Sequence, residues 1–321
     1  MSIPTDKHIV ILGSGSTVAT LKELNTEVNS YTLENFCEDP FFTQFLESLD
    51  IDYKIMNIEE ICDYLNKSDK EKYEELCKLI RQKYEQIKLP KDTCILEKLL
   101  LSLTNKDVVI SFNWDSLIIQ AYNRVQDFIP QQELPDLLFP HGNVEAGYTD
   151  TKYGCLSNPQ NAGYTPSPLN MPVDELNFLS NRFIQDQWNK FKRHIYEARM
   201  ITFFGYSGPP SDAKDMETFF NIFVQNRVCA RFEVIDKDTD TAKQVSQKWS
   251  QYILYTEHEP ECRGSFYESR MAIEPRQSIR SLDCWNGLTK KEYSFEPSDS
   301  MANIVYKLNL IDELKAKRTN R

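Results

Sequence analysis

Asp107-Val108-Val109-Ile110-Ser111-Phe112-Asn113-Trp114-Asp115 is the stretch on which the fold turns. Its first half is a short, β-branched, apolar run, the pattern of a strand buried on both faces of a parallel sheet. Ser116 to Val125 then carries apolar residues at helical spacing. The chain therefore passes from strand to helix across Asn113 and Asp115. In open α/β sheets, ligands bind in the crevice outside the carboxyl ends of the strands. Two short polar side chains at such an end are candidates to face a bound molecule. Taken alone, they read first as a turn and a helix cap, since Asn and Asp favour both.

The same grammar recurs on either side. Upstream, His8-Ile9-Val10-Ile11-Leu12 predicts a strand, Gly13-Ser14-Gly15-Ser16-Thr17 a small-residue loop, and Val18 to Leu24 a helix. Glycines lacking a Cβ let a backbone approach a phosphate, and the helix that follows offers amides and a positive dipole end. A plain tight turn is the other reading, and the third glycine of the dinucleotide fingerprint is absent. Phe41–Leu49, Ile58–Leu65, Tyr73–Ile87 and Cys94–Leu103 all have helical periodicity.

Downstream, Leu134–Phe139 is apolar and ends in Pro140-His141-Gly142-Asn143. Glu145 to Val173 is rich in Gly, Tyr, Asn, Pro and Ser and reads as a long irregular segment. Leu176–Glu197 is helical in pattern, and Met200–Phe204 is a strand running into Gly205-Tyr206-Ser207-Gly208-Pro209-Pro210-Ser211-Asp212. A helix over Ala213–Gln225, a strand over Arg231–Ile235 ending at Asp236, and a helix over Thr241–Tyr252 follow. After Glu259 the pattern weakens, and Lys315–Arg321 is expected to fray. Strands alternating with helices predict an α/β fold: a doubly wound, parallel, Rossmann-like sheet with a helical insertion after the first strand. The expected organisation is one nucleotide-binding domain over 1–258, with the insertion at about 18–106, a long loop at about 145–173, and a C-terminal extension, 259–321, packed on the same domain.

Composition narrows the class. The chain has 321 residues, 40% hydrophobic and 26% charged, with a net charge of -11. That charge argues against binding nucleic acid through a broad basic face. No apolar run approaches the ~18–20 residues of a membrane span, and Met1–Asp6 lacks the basic and apolar regions of a secretory signal. The eight cysteines are widely and irregularly spaced with no Cys-x-x-Cys. They read as free thiols in a reducing cytosol rather than as a zinc module or a disulfide framework. The expectation is a cytoplasmic protein that binds no metal and no membrane.

Several loop residues then stand out as site candidates. His141, between Pro140 and Gly142, sits in a loop rather than on a periodic face, so it is a candidate general base or orienter. His8, His194 and His258 have no such setting. Gly205, Tyr206, Ser207 and Asp212 form either a strand-end turn with a helix cap or a second wall of a nucleotide site. Asp236 is placed to accept from a ribose hydroxyl, or is a solvated turn residue beside Lys237 and Asp238.

Four pieces in this order, Gly-Ser-Gly-Ser-Thr at 13–17, Phe-Asn-Trp-Asp at 112–115, Pro-His-Gly-Asn at 140–143 and Phe-Gly-Tyr-Ser…Asp at 204–212, resemble the sirtuin-like family. They are similar to its prokaryotic NAD-consuming, anti-phage branch. The likeness spans about residues 8 to 236. It implies that Gly13, Ser14, Gly15, Ser16 and Thr17 embrace the pyrophosphate of NAD. It also implies that Asn113 and Asp115 hold the nicotinamide riboside end and that His141 is the catalytic histidine. Deacylases of this family carry a zinc module of two Cys pairs and a Pro-Asp-Phe-Arg stretch, and this chain has neither.

The activity implied is cleavage of the nicotinamide–ribose bond of NAD, giving nicotinamide and ADP-ribose, with no metal. In that reaction Asn113 orients the ribose or the attacking water, Asp115 binds the carboxamide, and His141 takes a proton. Unchecked NAD hydrolysis would poison a cell. The resemblance therefore further implies gating by homo-oligomer assembly, by a separate regulatory protein such as a translocase-like ATPase or a nucleotide-sensing enzyme, or by both. The alternatives are an NAD or ADP-ribose sensor without turnover, and an ADP-ribosyl transferase or deacylase-type sirtuin.

Overall fold

The computed structural model describes residues 7–23, 33–56, 58–89, 91–149, 164–169, 181–208, 219, 221–226, 228–253, 256, 258–277 and 292–319. Asp212, most of the expected helix over Ala213–Gln225, and the larger part of the 145–173 segment lie outside the described residues.

The chain opens with β1 (Lys7–Leu12) and α1 (Ser14–Glu23). Helices α2 (Pro40–Glu47), α3 (Ile58–Ser68), α4 (Lys70–Glu85) and α5 (Ile95–Ser102) follow before β2 (Val108–Ser111). Next come α6 (Leu117–Val125), β3 (Asp136–Leu138), and the small antiparallel pair β4 (Gly147–Tyr148) and β5 (Thr165–Pro166). Then α7 (Arg182–Glu197), β6 (Ala198–Phe204), β7 (Arg231–Ile235), α8 (Thr239–Trp249) and β8 (Glu261–Arg263) complete the sheet region. The chain ends with α9 (Arg270–Ile273) and α10 (Met301–Thr319).

Six strands form one sheet in the order β3-β2-β1-β6-β7-β8, every neighbouring pair parallel. β1, flanked on both sides, buries Ile9, Val10, Ile11 and Leu12 completely or nearly so, as a strand covered on both faces must. Sheet order runs outward one way from β1 to β3 and the other way from β6 to β8. With right-handed crossovers, the two halves place their helices on opposite faces. The fold is thus the doubly wound α/β sheet that the sequence predicts, and its switch point lies between β1 and β6.

Two expectations need correction. α1 begins at Ser14, not at Val18, so the small-residue loop is the first turn of the helix. The weak pattern after Glu259 hides a strand: Glu261–Arg263 is the edge strand β8, pairing with β7. A strand of three residues, Glu261-Cys262-Arg263, is too short for its alternation to stand out from loop sequence, which is why sequence pattern missed it.

The core beneath the switch point is aromatic. Phe112 stacks on Tyr206 at 4.8 Å and meets Trp188, Phe191 and Phe219 at 5.9, 6.3 and 5.5 Å. This cluster supports the strand ends from below, with the offset and edge-on geometries that aromatic quadrupoles favour.

Candidate active site

Glycines bring the two central strand ends together. Gly13 N–H donates to the Phe204 carbonyl at 3.1 Å, and Gly15 N–H to the Gly205 carbonyl at 3.0 Å. A Cβ on Gly13 would lie 2.4 Å from the Gly205 oxygen, and one on Gly15 would lie 2.7 Å from the Gly205 Cα. Gly205 itself has φ +61, and its Cβ would stand 2.4 Å from the Ser16 nitrogen. Loop-to-loop contact is therefore a sufficient reason for these glycines, independent of any phosphate. Ser16 N–H is also engaged, donating to the Gly13 carbonyl at 2.9 Å. Ser14, exposed, heads the helix.

Asn113 bridges from β2 to this turn. Its Nδ2 donates toward the Gly13 carbonyl (2.9 Å), Thr17 Oγ1 (3.1 Å) and Ser16 Oγ (3.2 Å). Thr17 Oγ1 in turn donates to Asp115 Oδ2 at 2.6 Å. A hydroxyl has one proton, so the direction is set: Asn113 amide to Thr17 to Asp115. Asp115 Oδ1 accepts from the Leu117 amide, the first of α6, at 3.0 Å from the position before the cap residue Ser116. Burial pushes the Asp115 carboxyl above the usual carboxylate range, while the Thr17 and Leu117 bonds pull it back. Of the triplet, Asn113 alone is half-exposed; Trp114 and Asp115 are buried. Asp115 thus meets the first amide of α6 with one oxygen and Thr17 with the other, while Asn113 faces the β1 turn alone.

His141 joins through packing. It is 8% exposed, and its ring meets Phe112 edge-on at 4.7 Å. Its loop is tied to the Asn113 loop by Asn143, fully buried, whose Nδ2 donates to the carbonyls of Asn113 and Asp115. Asn143 had no role in the sequence reading, although it stood in the quoted motif; its position directly after His-Gly was the available signal.

The remaining candidates are placed as follows. Tyr206 is buried, stacked on Phe112. Ser207 is exposed, and its carbonyl accepts from Lys248 Nζ at 3.1 Å. Asp236 follows Ile235, whose carbonyl accepts from the Gly205 amide at 2.9 Å. Its Oδ1 accepts from the Lys237 amide at 2.7 Å, and partial burial raises its carboxyl. The fold therefore brings Gly13–Thr17, Asn113, Asp115, His141 and Gly205 into one bonded or packed group, with Ser207 two residues beyond Gly205 on the same loop and Asp236 at the end of β7, one strand further along. His8 and His194 are buried elsewhere, and His258 is exposed. Among the described residues no group of three or more His, Cys, Asp or Glu could hold a metal ion, and no helix is long and apolar enough to cross a membrane. Six described cysteines are free thiols: Cys37, Cys62, Cys77, Cys94, Cys229 and Cys262.

No family model matches the chain, and no curated protein matches it. Among solved structures, a Sir2 homologue mutant in complex with ADP-ribose is 13% identical, covering 87% of this chain and 94% of that chain, with a TM-score of 0.43. A Sir2–p53 peptide–NAD+ complex is 12% identical, covering 86% of this chain and 92% of that one, with a TM-score of 0.35. At such identities and scores the likeness says nothing of activity.

Proposed function

We propose that this chain hydrolyses NAD at the nicotinamide–ribose bond, water adding to the ribose carbon as nicotinamide leaves and ADP-ribose and a proton are released. The observation that carries the reading is the convergence at one sheet edge of a half-exposed Asn113, the N-terminal end of α1 and the His141 loop. The helix end supplies positive potential for a pyrophosphate. Bond cleavage runs through a cation-like ribosyl transition state, which requires an oriented acceptor and a base. Asn113 is the group that reaches substrate, orienting the ribose or the water. His141 takes the proton. Asp115 was expected to bind the carboxamide, but its carboxylate oxygens already accept from Thr17 and Leu117. Its better-supported part is to hold Thr17, and through Thr17 to hold the Asn113 amide. Since free turnover would deplete the host of NAD, the activity is gated by assembly or by a separate regulatory protein, as an anti-phage effector would be.

The test is nicotinamide release by the pure protein across a range of concentrations, with Asn113→Ala and His141→Ala beside it. Each variant is expected to lose turnover by about 100-fold or more while melting within a few degrees of the parent. Wild-type turnover in either variant would overturn the assignment. A second reading, a module that binds NAD or ADP-ribose without cleaving it, is favoured by the burial of His141. Ligand binding with no nicotinamide release at any concentration would select it. Labelled NAD appearing on protein would select a transferase.

A further inference from the structure

Helix α4, in the insertion, touches both halves of the candidate site. Arg81 Nη1 donates to the Val144 carbonyl at 3.3 Å, and Nη2 to the Ser167 carbonyl at 2.6 Å. Three residues on, Tyr84 meets Trp114 edge-on at 5.7 Å. Each acceptor of Arg81 is one step from the His141 loop. Val144 follows Asn143 directly, and its amide donates to the Trp114 carbonyl at 3.0 Å. Ser167, almost fully buried, accepts from the Asn143 amide at 3.0 Å and donates from Oγ to the Asn143 carbonyl at 2.7 Å. The next residue, Pro168, lies so close to Gly142 that a Cβ there would stand 1.7 Å from the Pro168 oxygen. Gly142 has φ +75, a conformation few other residues accept. Residues 165–168 thus form a strap across the residue next to His141, and a guanidinium holds the strap and the loop at once.

The chemistry suits positioning. A guanidinium donates from a rigid planar fork, and bonds with a charged donor are stronger than neutral ones. A lysine is a point charge on a flexible stem and lacks the fixed planar pair of donors that sets the spacing between two carbonyls. The side chain is 25% exposed, and its nearest carboxylate, Glu85, stands 3.9 Å away, too far for a hydrogen bond. An ordinary solvated helix arginine would lie outward with its i,i+4 partner; this one lies inward on two carbonyls.

We infer that Arg81 is a positioning residue for the reaction, fixing the His141 loop against the Asn113 loop through Val144, Ser167 and Asn143. The inference rests on the reading of His141 as the base. It makes the helical insertion part of the catalytic frame.

The experiment uses the full chain with Arg81→Ala, Arg81→Lys and Ser167→Ala. Two quantities are read: steady-state nicotinamide release from NAD, and the side-chain NMR resonances of the four histidines, with His141→Gln assigning its signal. Arg81→Ala is expected to lower kcat about 10- to 100-fold, the scale of a small misplacement at a reacting centre. KM should change less than about 2-fold, since ground-state binding is untouched. The His141 resonances should move while those of His8, at the far end of β1, stay. Arg81→Lys should recover part of kcat, and Ser167→Ala should fall between the parent and Arg81→Ala. Unchanged kcat, unmoved His141 resonances, full recovery in Arg81→Lys, or displacement of all four histidines together each overturns the inference. A parent chain that releases no nicotinamide under any condition overturns the hydrolase reading alone. The His141 resonances in Arg81→Ala then decide the positioning role by themselves.

Discussion

The sharpest residue-scale feature is Gly205. Its positive φ and the 2.4 Å between its would-be Cβ and the Ser16 nitrogen leave no room for a side chain, and the obstacle is backbone. Gly205→Ala is expected to destabilise the fold by about 2 kcal/mol or more, because strain and clash act together. A urea midpoint unchanged from the parent would show that the β1 and β6 loops are not held this tightly. The same residues show the limits of sequence reading. Gly13 and Gly15 were visible as glycines, and their place after a strand was visible too. Their reason, a third glycine some 190 residues away, was not. Asn113 and Asp115 were legible as site candidates, but the hydroxyl that links them comes from Thr17, 98 residues before Asp115.

At the scale of elements, the insertion helices were legible because their apolar spacing survives in a single sequence. What they touch was not. α2 is capped by Asp39, whose side chain accepts from the Phe41 amide at 2.9 Å and pairs with Lys83 on α4 at 2.6 Å. The residue thus starts one helix and binds it to the next. Asp39→Asn should keep the cap and weaken the ion pair, while Asp39→Ala should lose both, with a further cost of about 1 kcal/mol for the cap. Equal losses in thermal unfolding would show that the cap contributes nothing. Arg81 illustrates the same blindness. In the sequence it is one basic residue with Glu85 four places on, the mark of a solvated helix face. Only packing turns it toward two carbonyls.

Across the whole molecule, a buried polar line crosses three strands. His8 Nε2 lies 2.8 Å from Thr202 Oγ1, which donates to Glu233 Oε2 at 3.1 Å; the other Glu233 oxygen accepts from the Arg270 amide at 3.0 Å. While Glu233 is ionised, Thr202 gives its one proton to Glu233 and accepts from Nε2 of His8; once Glu233 is protonated, the direction of the line can reverse. Burial pushes Glu233 up to about 7, with Glu261 adding to the rise and Arg263 opposing it, and pushes His8 down to about 4 against the pull of Asp107. The sign for Glu233 follows from linkage. Between the unfolded value of ~4.3 and the folded value, the native state binds more protons, so this group's contribution to stability falls as pH rises through that window. The stability of the parent minus that of Glu233→Gln should therefore decline from about pH 4.5 to about pH 7, by ~4 kcal/mol at most. Whatever constant penalty the amide carries, a difference flat in pH would overturn this account.

The sequence by itself determined the strand–helix alternation, the doubly wound class, and which strand ends carry Gly, Asn, Asp and His, because local periodicity and turn chemistry act over a few residues. Only the tertiary structure decided that the glycines meet each other, that Asp115 faces Thr17, that Asn143 ties two loops, and that an insertion helix braces them. Those contacts join residues from 24 to about 190 positions apart. Their cause is the packing of loops against one another at the sheet edge, which no short window of the chain can encode.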